Sequence, residues 1–107
     1  MTMTTTLIAT ARNEGPFLLE WVAYHRAIGF DRIIVLSDIS EDGSEVLLDA
    51  LDAVGAITHI PKSALTSAPG NGHRNRAYAY ALALPEVQAS DWVMVLDIDE
   101  FLNVHAG

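Results

Sequence analysis

Four short apolar runs alternate with three stretches of helical periodicity, and this alternation constrains the fold of the 107-residue chain more than any other feature. Residues 6–11 and 32–36 are rich in β-branched side chains and too short for helices, so they read as buried strands. Residues 56–60, closed by Pro61, and residues 91–96 complete the set. After the first strand, Leu18, Trp21, Val22 and Ile28 recur at helical spacing, with Pro16 suited to a first turn and Gly29 to a stop. Residues 44–54 read as a second amphipathic helix ended by Gly55, and the alanine-rich residues 74–84 as a third, ended before Pro85. Residues 62–72 lack periodicity and carry Pro69, Gly70 and Gly72, which predicts a loop that orders only around a ligand. The order βαβαβ, loop, αβ predicts an α/β three-layer sandwich: a mainly parallel sheet with helices on both faces and right-handed crossovers.

In such sheets ligands bind beyond the carboxyl ends of the strands. Three polar clusters fall at predicted strand ends: Arg12-Asn13-Glu14, Ser37-Asp38 and Asp97-Asp99-Glu100. Their convergence on one rim locates the candidate site. The net charge of −8 argues against nucleic acid or an anionic membrane as a general partner, and leaves a surplus of carboxylates to focus at a cation site. The absence of cysteine removes disulfides, thiolate nucleophiles and cysteine zinc sites, and suits a reducing compartment. The opening MTMTTT lacks a signal peptide's basic start, and the longest apolar run, residues 77–84, is too short to span a bilayer. A soluble, cytoplasmic protein is expected.

The third cluster carries the most chemistry. Residues 93–101 read VMVLDIDEF, an apolar strand that stops at three carboxylates. In an extended segment Asp97 and Asp99 face the same way, about 6.6 Å apart, and like charges so close repel unless a cation or proton sits with them. Hard oxygen ligands of this kind suit Mg²⁺, Mn²⁺ or Ca²⁺. A solvated strand end with turn-forming aspartates would carry the same letters. Elsewhere the plainer readings lead. His25, on a helix with Trp21, reads as a hydrogen-bonded structural histidine. Tyr78 and Tyr80 read as packing or surface residues, Glu14 as favourable charge at a helix N-terminus, His73 and Arg74 as helix-end residues, and Asp42-Gly43 as a turn.

Two families share such a motif. VLDIDEF resembles the first motif of haloacid-dehalogenase-type phosphatases, whose first aspartate is a nucleophile and whose second is a general acid. Those enzymes place Thr or Val where this chain has Phe101, and they carry the motif on their first strand rather than their fourth. A broader resemblance covers nearly the whole chain. Asn13-Glu14, Glu20-Trp21, Tyr24-His25, Gly29, Ser37-Asp38, the series Ser40-Glu41-Asp42-Gly43 and the D-I-D-E-F of residues 97–101 are together similar to family 2-like glycosyltransferases, in a branch sharing features with family 92.

That resemblance implies the N-terminal, nucleotide-binding half of a GT-A (Rossmann-like) fold. Residues 1–107 would be the nucleotide-sugar-binding portion of one domain, with a catalytic base expected beyond Gly107. It implies that Thr10, Ala11 and Arg12 line the nucleotide pocket and that Asp38 contacts the base or ribose. Arg74 or Arg76 would supply a basic group near the nucleotide. Asp97 would face the ribose or the metal's water shell, and Asp99 would ligate a divalent ion, Mn²⁺ or Mg²⁺, bridging the donor diphosphate. Ile39 and Ser37 depart from the branch's usual polar and acidic residues, at positions that bear on base preference. The implied partners are a nucleotide-diphosphate sugar and an acceptor (glycan, lipid or protein). A haloacid-dehalogenase-like phosphatase, and a donor-binding piece without turnover, are the alternatives. An open sheet edge would promote pairing between chains.

Overall fold

The computed structural model describes residues 3–11, 15–38, 44–65 and 68–98. Strand β1 (Thr5–Ala11) leads into helix α1 (Gly15–Ala27), β2 (Arg32–Ser37), α2 (Ser44–Ala53) and β3 (Thr58–Ile60). A single 3-10 turn (Lys62–Leu65) precedes α3 (Gly72–Leu82), a short α4 (Pro85–Gln88) and β4 (Trp92–Val95). The strands form one parallel sheet in the order β3-β2-β1-β4. This is the predicted α/β class.

The alternation of side chains along each strand sorts the apolar residues into two cores. On one face Leu7, Ala9, Ala11, Ile33 and Val35 pack with Leu18, Trp21 and Val22 of α1 and Leu48 of α2. On the other, Ile8, Ile34, Leu36 and Ile60 meet Leu65, Ala77 and Ala81 of α3, and Val87 of α4. Alanines on α3 let that helix approach the sheet closely. The amino-terminal rim is tied by carboxylates: Asp31 accepts from the Thr5 backbone N–H at 2.8 Å, and Asp91 from that of Thr4 at 2.7 Å. The acids on that rim therefore fasten β1 to its neighbours.

Four expectations need correction. β4 does not lie buried: Trp92 is 63% exposed and Val93, Met94 and Val95 are all at least 36% exposed. Among the described residues it pairs only with β1, at the edge of the sheet. Residues 62–65 are not aperiodic loop but a 3-10 turn, because Leu65 is drawn into the α3 core at 2% exposure. Pro85 does not merely stop α3; it opens α4, where its fixed φ suits the first turn. Ile28 falls outside α1 and is 36% exposed, in the turn that Gly29 closes with φ of +112°.

His25 takes the structural role expected of it. It is fully buried, with Nδ1 donating to the Trp21 carbonyl at 2.8 Å and its ring 4.5 Å from the Trp21 ring centre. Burial lowers its pKa below the ordinary value of 6.5, against a smaller raising effect of the Trp21 carbonyl.

Candidate functional site

The alternation that builds the two cores also decides which carboxylates share a face. Ser37 continues the α1–α2 face of β2, and Asp38 turns to the α3 face. The chain stays in register there, with the Asp38 N–H donating to the Ala11 carbonyl at 2.8 Å. Past β4, Leu96 donates to the Ile8 carbonyl at 3.0 Å and packs with the α1 core, as does Ile98, so Asp97 turns to the α3 face as well. Asp38, Asp97 and the half-buried Thr10 thus share the α3 side of the sheet at the carboxyl rim.

Both described carboxylates hold a cation. Asp38 Oδ1 lies 3.0 Å from Lys62 Nζ, where the 3-10 turn begins just past β3. Asp97 pairs with the Arg74 guanidinium in the first turns of α3. Arg74 Nε also donates to the Tyr78 hydroxyl at 3.0 Å, one helical turn on. The hydrogen bond to Tyr78 first, and Asp97 second, push the pKa of Arg74 further up, so it stays charged.

A cleft of about 260 Å³ is lined by Lys62, the partner of Asp38, and by Leu65, Gly72, His73 and Arg76. Arg76 reaches back to the Gly70 carbonyl at 3.3 Å. The Nε2 atom of His73 is buried with no hydrogen-bond partner among the described residues. The loop around Gly70 is tight: φ is +123°, and a Cβ there would stand 3.1 Å from the Asn75 Cβ and 3.2 Å from the Asn75 carbonyl carbon.

A second polar cluster lies on the opposite face. His59 Nδ1 donates to Asp49 Oδ1 at 2.7 Å, and its Nε2 lies 2.8 Å from Ser37 Oγ. Ser37 Oγ donates to Glu45 Oε2 at 3.2 Å, and the His59 N–H donates to Asp52 Oδ2 at 2.8 Å. The order Ser-His-Asp matches a nucleophile-base-orienter chain. Ser37, however, is 1% exposed beneath α2, so no substrate reaches it. The cluster fastens α2 to β2 and β3.

The predicted site residues divide accordingly. Asp38, Thr10, Arg74, Arg76 and Asp97 gather on the rim, whereas the Ala11 methyl packs into the α1–α2 core and leaves only its backbone at the strand end. Arg12 and Asp99 lie outside the described residues, as do Asn13, Glu14, residues 39–43 and Glu100. Among the described residues no three His, Cys, Asp or Glu side chains gather to hold a metal ion. Asp97 is the described member of D-x-D, and Arg74 already supplies it with positive charge. Sequence reasoning missed Lys62, although its place just after β3 puts it on the same rim, and gave His73 only a helix-end role.

The family model for glycosyltransferase family 92 matches residues 8–106. Among curated proteins, the chain is similar to a glycosyltransferase family 92 protein of Ricinus communis, 33% identical over 98 residues, covering 90% of this chain and 16% of that protein. A family 92 protein of Oryza sativa subsp. japonica is 32% identical over 92 residues, covering 86% and 15%. One of Arabidopsis thaliana is 29% identical over 91 residues. The chain therefore spans about 15% of the length of the curated relatives it matches. No helix among the described residues is long and apolar enough to cross a membrane.

Proposed function

The chain belongs to glycosyltransferase family 92, and from that premise we propose that it forms the donor-binding part of an enzyme that transfers sugar from a nucleotide-diphosphate donor. The observation that carries this reading is the placement of Asp38 and Asp97 on one face of one rim, each charge-balanced by a partly exposed cation. A carboxylate there accepts hydrogen bonds from ribose hydroxyls or a base N–H. The cation it releases turns to the phosphates, so binding exchanges one set of ion pairs for another and strands no charge. In this reading Asp38 holds the nucleoside, Asp97 orients the ribose side, and Arg74 follows the diphosphate.

A divalent ion bound through Asp97 and Asp99 would neutralise the leaving diphosphate as the bond to the sugar breaks. The contribution of this chain's own residues is to bind the donor, keep it oriented and balance its charge. The phosphatase alternative gains no support: its nucleophile would be Asp97, whose carboxylate is engaged by Arg74, and the motif follows the fourth strand of the sheet.

Thermal shift with UDP, GDP and their sugar conjugates, with and without Mn²⁺, tests the reading. Stabilisation by at least one nucleotide diphosphate is expected, reduced about tenfold or more in affinity by Asp38→Ala. Absence of any response across the panel would overturn it.

A further inference from the structure

Two of the chain's six Lys and Arg residues, Lys62 and Arg76, line this one cleft in a molecule whose net charge is −8, and a third, Arg74, stands on the neighbouring face of α3. Asp38 and Asp97 balance Lys62 and Arg74, so among the described residues Arg76 is the cation in excess here, and release of Lys62 from Asp38 adds a second, which favours an anionic ligand. Arg74 pairs with Asp97 outside the cleft, whereas Lys62 and Arg76 both line it. Lys62 is half exposed, so its ammonium can swing from Asp38 toward the cleft without being desolvated first. His73 adds a buried ring nitrogen that lacks a partner among the described residues, and buried polar atoms are rarely left so. Gly72 contributes no side chain to the wall, and at φ of +83° it keeps a conformation that L side chains rarely adopt.

We propose that this cleft is an anion pocket that takes a phosphate group, with Lys62 and Arg76 as its cations and His73 Nε2–H as a further hydrogen-bond donor. Lys62 is shared: Asp38 holds it in the empty state and yields it to the ligand. Diphosphate of a nucleotide donor and free pyrophosphate present the same chemistry to these groups. The first source rests on the donor-site reading above; the pocket itself does not. Asp38 then acts in two opposed ways, as an acceptor for the nucleoside and as a competitor for Lys62.

Titration calorimetry on the 107-residue chain at low ionic strength, with inorganic pyrophosphate and separately with UDP and GDP, tests this. Pyrophosphate is expected to bind, with affinity falling as salt rises. Arg76→Gln and Lys62→Gln should each weaken it about tenfold, the loss of one charge-assisted contact. Arg26→Gln, which removes an exposed charge from α1, should leave it unchanged. Asp38→Asn should tighten pyrophosphate while weakening the nucleotides, an opposition that a general loss of structure would not produce. All four positions are partly or wholly exposed, and thermal unfolding of each variant verifies its fold. Pyrophosphate binding with no nucleotide binding would uphold the pocket and sink the donor-site reading. Nucleotide binding that Lys62→Gln and Arg76→Gln leave intact, or no pyrophosphate binding at all, would overturn the pocket.

Discussion

Replacing Asp49 by leucine tests how α2 is fastened to the sheet. Asp49 is 74% exposed, and by position alone its loss should cost almost nothing. Its partner is different. The His59 side chain is 2% exposed, and its Nδ1–H points at the Asp49 carboxylate from 2.7 Å. Leucine covers that nitrogen with an apolar group and keeps water away, leaving a buried donor unsatisfied at a cost of about 1–3 kcal/mol. Leucine's better helix propensity returns roughly 0.5 kcal/mol. Thermal unfolding should show a fall in Tm of roughly 4–8 °C for each kcal/mol lost. His59→Leu, at the buried end, is expected to cost less: Asp49 returns to water and Ser37 keeps Glu45 as its acceptor. Combining both changes should recover about 1–2 kcal/mol relative to the sum of the single effects. If Asp49→Leu lies within about 0.5 kcal/mol of the wild type while His59→Leu costs several times more, the exposed carboxylate is solvated rather than structural and the reasoning fails.

His25 makes stability pH-dependent with a definite sign. Its folded pKa is lowered, so the unfolded chain takes up the proton first as pH falls below 6.5, and stability drops through that window until the folded pKa is reached. Urea midpoints at pH 5 and 7.5 should differ in the wild type, and the difference should shrink in His25→Leu; an unchanged slope would place the titration elsewhere. Gly70→Ala and Gly72→Ala form a matched pair. Both need positive φ, costing about 1 kcal/mol, but only at Gly70 does the new Cβ press on the Asn75 backbone, so Gly70→Ala should lower Tm further and also weaken pyrophosphate binding.

The α/β alternation was legible because parallel strands are buried on both faces and read as plain apolar runs, as residues 32–36 do. The same rule misled at β4, whose run is equally apolar although among the described residues it stands on an edge; composition does not say on which side a strand lacks a neighbour. The rim acids were legible from their place after strands. Their partners were not, because Lys62 and Asp38 are joined only once β3 pairs beside β2 and sets the two strand ends next to each other. Arg74 and Arg76 looked equivalent in sequence, and the helix separates them: two residues are about 200° apart around its axis. One therefore faces Asp97 and the other the cleft. The Ser37–His59 cluster draws residues from three elements at spacings that no motif records.

The central position of β1 gives the rim a calliper. Because β2 and β4 pair on either side of β1, Asp38 and Asp97 continue strands two spacings apart, about 9.6 Å at roughly 4.8 Å each. The register sets Asp97 level with Leu36, so Asp38 stands two residues further out, about 6.6 Å along the strand direction. The backbone positions of the two acids are thus about 12 Å apart, a separation that the hydrogen-bonded sheet fixes. In the proposed donor site, a ligand engaged by both acids has to bridge that separation, so its length matters alongside its hydrogen bonds.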